Sequence, residues 1–409
     1  MDDRAMLADG TTGAFAVAPF IEADAAIPPS TRSELLAHLS AAFDLAEARA
    51  EGHAARVALL GLETAQALRL DRETRERLFY AALLHDAHLG ADPDEAHLEA
   101  AARAVFKLGL DLGVAQVIRV SRDLIDGERE VDADTPIEAL CIAAAHWACD
   151  IAEDENPLRA RTRLQGENDA QLAQIAGAEV AVGLREALRS DETWIHFWDD
   201  ELPSFAARQV VGEHGASVED VIEAAAAMGD LVDAALREPG RAGRVADLSS
   251  ALAKQLALPE STQQALGVAG YLVDIGQLSV PRAITEKPSI LSVEEMEQMR
   301  RHPGLGARIV ERINGMTEIA LWIEMHHERP DGRGYPEMLT NGELPLPPRI
   351  LAVADSYWAL RAERPYRPAM TVDEAIEVIQ AGAGAQYDQQ VANALKAVVH
   401  EAESDAEAA

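Results

Sequence analysis

The chain has 409 residues, of which 48% are apolar, enough for two or three domains with sizeable cores. Its net charge is -34, from 70 acidic against 36 basic residues, and lysine is nearly absent. Such a surface repels nucleic-acid backbones and anionic membranes, so neither is expected as a partner. Solubility in a salty cytoplasm accounts for the charge; an anionic substrate would need a local reversal of sign, by metal ions or clustered arginines. No window has the roughly 18 uninterrupted apolar residues that span a bilayer. The start, Met1-Asp2-Asp3-Arg4, lacks the basic and apolar regions of a signal peptide. Cys141 and Cys149 lie about two helical turns apart, too far for a disulfide. A cytoplasmic protein is expected.

Residues 1–30 are rich in Ala, Gly, Pro and Thr without clear periodicity and read as a flexible arm. From Thr31 onward, Ala/Leu/Val/Arg/Glu segments carry apolar residues at helical spacing. Strand-like alternation is almost missing and aromatics are only 4%, so an all-α fold is expected. The chain also repeats itself. Gly52-His53-Ala54-Ala55-Arg56-Val57-Ala58 aligns with Gly240-Arg241-Ala242-Gly243-Arg244-Val245-Ala246. Carried forward without a gap, Leu84-His85-Asp86 falls on Leu272-Val273-Asp274, with Ala65/Ala253, Leu68/Leu256 and Leu78/Leu266 matching between. Two related helical domains follow, over 31–208 and 209–400, with an acidic tail over 401–409. Asp199-Asp200-Glu201-Leu202-Pro203 breaks the pattern between them. Ser217 and Asp220 form a capping-box-like start for a helix over Val218–Glu238.

The most informative run is His326-His327-Glu328-Arg329-Pro330-Asp331-Gly332-Arg333-Gly334-Tyr335-Pro336. Two adjacent imidazoles end an apolar helical segment, Ile319 to Met325, and a glycine-punctuated turn with an aromatic tip follows. A pair of buried, hydrogen-bonded histidines is the simpler account of the imidazoles. Asp274, His302 and Asp355 also sit in apolar or helical surroundings. Buried carboxylates without partners are costly, so several such residues in one domain point to a shared metal site.

At these residues the chain resembles a family. Residues 230–398 look like an HD-GYP domain, a subgroup of the HD phosphohydrolase superfamily. The matches are Val273-Asp274-Ile275-Gly276-Gln277, Ile284 to Leu291 around Lys287-Pro288, His302-Pro303, the opening His-His run, Arg349 to Leu360, and Arg364-Pro365-Tyr366-Arg367. The resemblance implies two tandem HD-type helical bundles and hydrolysis of cyclic di-GMP at a cluster of divalent metals, iron or manganese. It implies Asp274 as the catalytic, metal-bridging carboxylate and His302, His326 and His327 as ligands of one ion. A second ion would take an early His, the His of the HD pair and a late Asp. Only Asp355 of these remains, because Arg241 and Val273 stand at the two histidine positions. Gln277 stands where a lysine is usual near the scissile phosphate. Arg364 and Arg367 match contacts to the ligand's phosphates and guanines. Tyr335 matches the loop tip linked to substrate or to a signalling partner.

One metal site is therefore expected to be complete and the second not. Valine cannot ligate, and Arg241 places a fixed positive charge near the missing ion. The expected protein is a metal-dependent cyclic di-GMP phosphodiesterase whose activity is weakened or lost; the alternative is a non-hydrolytic cyclic di-GMP sensor or docking module. The first domain has the opposite pattern. His53, His85, Asp86 and His146 could hold one metal, although a vestigial or structural role is the preferred reading, and Asp150 lies one turn beyond His146. His88 and His97 read as surface histidines. A composite site joining half-sites of the two domains is a weaker third possibility.

Overall fold

The computed structural model describes residues 32–47, 49–87, 103–166, 169–210, 217–363 and 367–408. The arm over 1–30, His88 and His97 lie outside the described residues. Among those described there are helices and no strands; isolated bridges join Asp331 to Thr340 and Ala383 to Tyr387. The expected all-α class with two HD-type bundles is what the chain adopts. No described helix is long and apolar enough to cross a membrane. Cys141 and Cys149 are both free and buried.

The first half contains α1 (Arg32–Leu39), α2 (Ala41–Ala46), α3 (His53–Ala67), α4 (Arg72–Leu83), α5 (Gly113–Ile125), α6 (Ile137–Glu153), α7 (Pro157–Gly166), α8 (Asp169–Ala187), α9 (Asp191–Phe197) and α10 (Leu202–Val210). At its centre α3 packs on α4, α6 and α8. Its sequence is apolar almost all round, as a helix enclosed on every side requires. The second half contains α11 (Val218–Leu236), α12 (Arg241–Gln255) and α13 (Glu260–Leu272), then a 3-10 turn (Ile275–Ser279). It continues with α14 (Arg282–Thr285), α15 (Val293–Met299), α16 (His302–Glu311), α17 (Thr317–Glu324), α18 (Leu346–Arg361), α19 (Val372–Ala381) and α20 (Gln389–Ala408). Here α12 packs on α13 and α18, and α16 packs on α17 and the 3-10 turn. The helix starts follow their caps: Ser217 with Asp220, Ser292 with Glu295 and Thr371 with Glu374 each form a reciprocal capping box.

The two halves share one continuous apolar core. Helix α1 packs on α10 but also on α11 and α16, and α2 lies against the 3-10 turn. Arg32 pairs with Asp220 across this contact, Arg312 with Glu51 at 2.7 Å, and Lys107 with Asp230 at 2.7 Å.

The internal repeat has a specific physical form. Gly52 and Gly240 adopt left-handed backbone, with φ of 85° and 73°, immediately before α3 and α12. Glycine suits this conformation because it has no Cβ to clash. A buried aspartate then receives the first amides of each helix. Asp44 accepts from Gly52 N at 2.8 Å and Ala54 N at 3.0 Å; Asp233 accepts from Ala242 N at 3.1 and 3.0 Å. Each helix start is thereby tied down, and with it the residue at its first position, His53 or Arg241.

Burial raises both Asp44 and Asp233 to about 7, outweighing the amide donors. A raised carboxyl favours the protonated fold. Its contribution is fully present below the ordinary carboxyl range and is lost as pH rises through about 7. In chelator-treated protein, urea-unfolding stability should fall as pH rises through that window, and Asp233→Asn should flatten the decline. An unchanged pH profile in Asp233→Asn would refute this assignment.

Candidate metal centres

The first centre lies at the heart of the first half. His53 opens α3, His85 and Asp86 follow α4, and His146 projects from α6. All four are buried, and one donor atom from each lies within 4.8 Å of all the others. The outer ring nitrogens are anchored. His53 Nδ1 lies 3.0 Å from Glu153, His85 Nδ1 lies 2.7 Å from the Ala82 carbonyl, and His146 Nδ1 lies 3.3 Å from Asp150. An acceptor at Nδ1 places the proton there and leaves Nε2 as a bare lone pair, the usual outer arrangement for metal-binding histidines.

His53 Nε2, His85 Nε2 and Asp86 Oδ2 are buried without any hydrogen-bond partner. Three unpaired acceptors converging in a dry interior are unfavourable unless a cation joins them. The nitrogen-and-oxygen donor set suits a divalent metal. Burial holds His85 at about 3, so its imidazole is neutral and able to ligate. Burial would raise Asp86, but His85, His53, His146 and Arg122 outweigh it and hold the carboxylate at about 2. Arg122 contacts Asp86 Oδ1 at 3.3 Å, away from the unpaired oxygen. Arg49 donates to His146 Nε2 at 3.0 Å and also pairs with Asp150, so His146 is the one ligand candidate that already has a partner on its inner nitrogen.

The second centre lies in the second half. His302 opens α16, while His326 and His327 follow α17; the donor atoms of these three also lie within 4.8 Å of one another. His302 Nδ1 donates to the Met299 carbonyl at 2.8 Å and His326 Nδ1 to the Ile323 carbonyl at 2.6 Å. Their Nε2 atoms face each other at 3.4 Å. Two nitrogens each about 2.0–2.1 Å from one tetrahedral ion would stand about 3.4 Å apart. Burial, then His326, lowers His302 to about 4; burial, then His326 and His302, puts His327 well below the ordinary range. These rings are neutral ligands, not cations.

The two aspartates of this centre lie beside the histidines and are engaged by other side chains. Asp274 approaches His302 Nε2 at 3.9 Å, but Arg241 Nε donates to its Oδ2 at 2.8 Å and Gln277 donates to its Oδ1. Arg241 Nη2 meanwhile pairs with Asp355. The three histidines therefore form one group, and both carboxylates are held on a guanidinium. The physical reason is compensation: two buried carboxylates need a cation, and the guanidinium fork spans both. Burial would raise Asp274, but Arg241, His302 and His326 hold it well below the carboxylate range. Burial raises Asp355 against the opposing pull of Arg241. Val273 is buried among apolar residues and supplies no donor. No donor group among the described residues combines the two halves, so nothing supports a composite site.

Tyr335 closes over the second centre. Its ring lies 4.8 Å from that of His327, with the Arg300 guanidinium 5.3 Å from its centroid. Sequence reasoning missed the residue that holds this loop, Glu328. Its buried carboxylate accepts Glu337 N at 2.6 Å and Leu339 N at 3.0 Å. Its place directly after the two histidines was the only available signal. Gly276 is a second positioning residue: a Cβ there would stand 2.0 Å from the His302 carbonyl oxygen, so only glycine lets the 3-10 turn approach α16. Glu153, missed in the first centre, lies two helical turns from His146 on α6. Arg367 straps the end of α18, donating to the Leu360, Ala359 and Pro368 carbonyls at 2.9, 3.0 and 3.0 Å. Arg364 lies outside the described residues.

Glu328→Ala should cost about 1–3 kcal/mol by leaving two part-buried amides without their charged acceptor. Chemical denaturation would measure the loss, and hydrogen exchange should accelerate at Glu337 and Leu339. Unchanged protection of those amides would show that Glu328 does not hold the loop.

The HD domain family matches the chain twice, over residues 51–177 and 228–391. Similar proteins include 3'3'-cGAMP-specific phosphodiesterase 1 of Vibrio cholerae, 35% identical over 169 residues, which cover 41% of this chain and 39% of that protein. The cyclic di-GMP phosphodiesterase of Thermotoga maritima is 38% identical over 157 residues, 37% of this chain and 42% of its own. The cyclic di-GMP phosphodiesterase response regulator RpfG of Xanthomonas campestris is 36% identical over 154 residues, 37% of this chain and 41% of its own. The matched region thus spans about two-fifths of each of these relatives. The solved structure of a cyclic GMP-AMP-specific phosphodiesterase of V. cholerae (V-cGAP3) covers 91% of this chain and 98% of its own, with a TM-score of 0.60 and 19% identity, and so shares the fold. With two HD domains in tandem and the histidine-pair and Gly-Tyr-Pro signature in the second, the chain belongs to the HD-GYP family.

Proposed function

We propose that this chain is a metal-dependent, HD-GYP-type phosphodiesterase of cyclic dinucleotide signalling, acting in the cytoplasm. The observation that carries the proposal is the convergence of three imidazoles, the buried His302 and His326 and the half-buried His327, beside the ionised Asp274. The named activities of the similar proteins support a cyclic dinucleotide as substrate, cyclic di-GMP first and 3'3'-cGAMP second.

Iron or manganese is the proposed metal, held by His302, His326 and His327 with Asp274 as the catalytic carboxylate and Asp355 as the remnant of a second ligand set. A bound divalent ion supplies Lewis acidity and acidifies a water molecule. The chain's own residues do the rest. Arg241 and Gln277 orient Asp274, and Arg241 offsets the negative charge that a phosphodiester brings into an acidic protein. Tyr335 and Arg300 form a flat, cationic wall on which a base can stack. Arg364 and Arg367 are proposed as further contacts to the ligand. The proposed role of His53, His85, Asp86 and His146 is a separate, structural metal centre, because all four side chains are buried.

A second proposal, a non-hydrolytic sensor that docks a signalling protein through the Tyr335 loop, is favoured by one observation: Arg241 engages both aspartates that a two-metal cluster would use.

Purified protein loaded anaerobically with ferrous iron or manganese should convert cyclic di-GMP to linear pGpG. His326→Ala should lower turnover at least tenfold, and each of His326→Ala and His85→Ala should reduce metal content by about one ion per chain. Tight binding without product identifies the sensor. Absence of both binding and product would reject the cyclic dinucleotide assignment.

A further inference from the structure

We propose that the Arg241 guanidinium stands in the place of a second divalent ion, making the C-terminal centre a site of one metal ion and one built-in cation. This rests on the reading of His302, His326 and His327 as metal ligands.

The repeat supplies the comparison within the molecule. His53 and Arg241 both occupy the first position of a helix, behind a left-handed glycine, with a buried aspartate capping the amides. In the first half that position presents an imidazole 4.0 Å from Asp86. In the second half it presents a guanidinium 2.8 Å from Asp274, the equivalent acid, and the same side chain extends to Asp355. Val273 replaces the other imidazole, that of His85, with methyl groups. Two neutral donors are thus exchanged for one cation and apolar volume. Ligands for an ion are lost, while positive charge beside the carboxylates is kept.

Arg241 is buried, and Glu238 adds a third carboxylate at 3.3 Å from its Nε. Arginine does not deprotonate in proteins, so pH does not release these acids for a metal. One corner of the fork is spare. Arg241 Nη1 is buried and has no hydrogen-bond partner. A charged donor left so is costly, and an anionic oxygen entering the centre would satisfy it. Planar guanidinium groups suit phosphoryl oxygens, which are the atoms a second ion would otherwise clamp.

The test uses the full-length chain with His85→Ala as parent, which silences the N-terminal centre, loaded anaerobically with manganese. Elemental analysis should find one ion per chain. Adding Arg241→His with Val273→His should raise this to two, with the spin-coupled electron paramagnetic resonance spectrum of a manganese pair. In the parent, Arg241→Lys should keep one ion but weaken the binding of inorganic phosphate, measured by calorimetry, about tenfold, because an ammonium cannot hold two carboxylates and an anion together. Two ions in the parent overturn the proposal, as does a folded double variant that stays at one. If the double variant fails to fold, Arg241→Lys decides, and parental phosphate affinity in it overturns the proposal. A parent that binds no manganese defeats the metal reading of the histidines itself, and this inference with it.

Discussion

The contact on which the second half depends is the fork of Arg241 between Asp274 and Asp355. It joins the first residue of α12, the second residue beyond α13 and the middle of α18. These three helices pack on one another around it. Two buried carboxylates without a cation would oppose that packing by several kcal/mol each. The guanidinium removes the conflict by geometry as well as by charge, since one planar group can donate in two directions. Burial first, with the guanidinium as a smaller contribution, lowers His302 and His327 beside it.

The first half meets the same constraint in another way. There the buried acid, Asp86, shares its charge between Arg122 on one oxygen and an open cluster of imidazoles on the other. Outer acceptors at Glu153, Ala82 and Asp150 set each ring so that its lone pair points inward. The two halves are thus variants of one device: a glycine turn and a buried aspartate fix a helix start, and the residue at that start faces an acid contributed by the end of the next helix. Whether an imidazole or a guanidinium occupies the position decides whether the acid remains open to an ion.

The link between the halves also bears on the centres. Helix α2, which carries the capping Asp44 beneath the first centre, lies against the 3-10 turn that follows Asp274. That turn approaches the His302 backbone closely enough to require Gly276. The two centres are therefore joined by packed backbone, although their donor atoms remain separate. The net charge of -34 is offset locally by paired arginines, the buried Arg56 and half-buried Arg122 around one centre and the buried Arg241 in the other.

Much of this was legible in the chain itself. Helical periodicity without strand alternation specified the all-α class, because apolar spacing follows directly from which face a helix buries. The equal spacing of His53–His85 and Arg241–Val273 exposed the repeat, and the His326–Pro336 run with Asp274 and His302 exposed the family. What the chain could not display was how its carboxylates are partnered. Asp274 matched a bridging ligand by position, yet its oxygens belong to Arg241 and Gln277. The four residues of the first half read as able to hold one metal, with a vestigial or structural role preferred; what the chain could not display is that their donor atoms converge and three of them stand unpaired. Glu328 gave no sign of its task, which depends on amides nine and eleven residues away folding back onto it. Residue type and spacing determine which groups are able to ligate. Only tertiary structure decides which lone pairs are already taken, because hydrogen bonding and ion pairing in a buried site depend on side chains brought together from helices far apart in sequence.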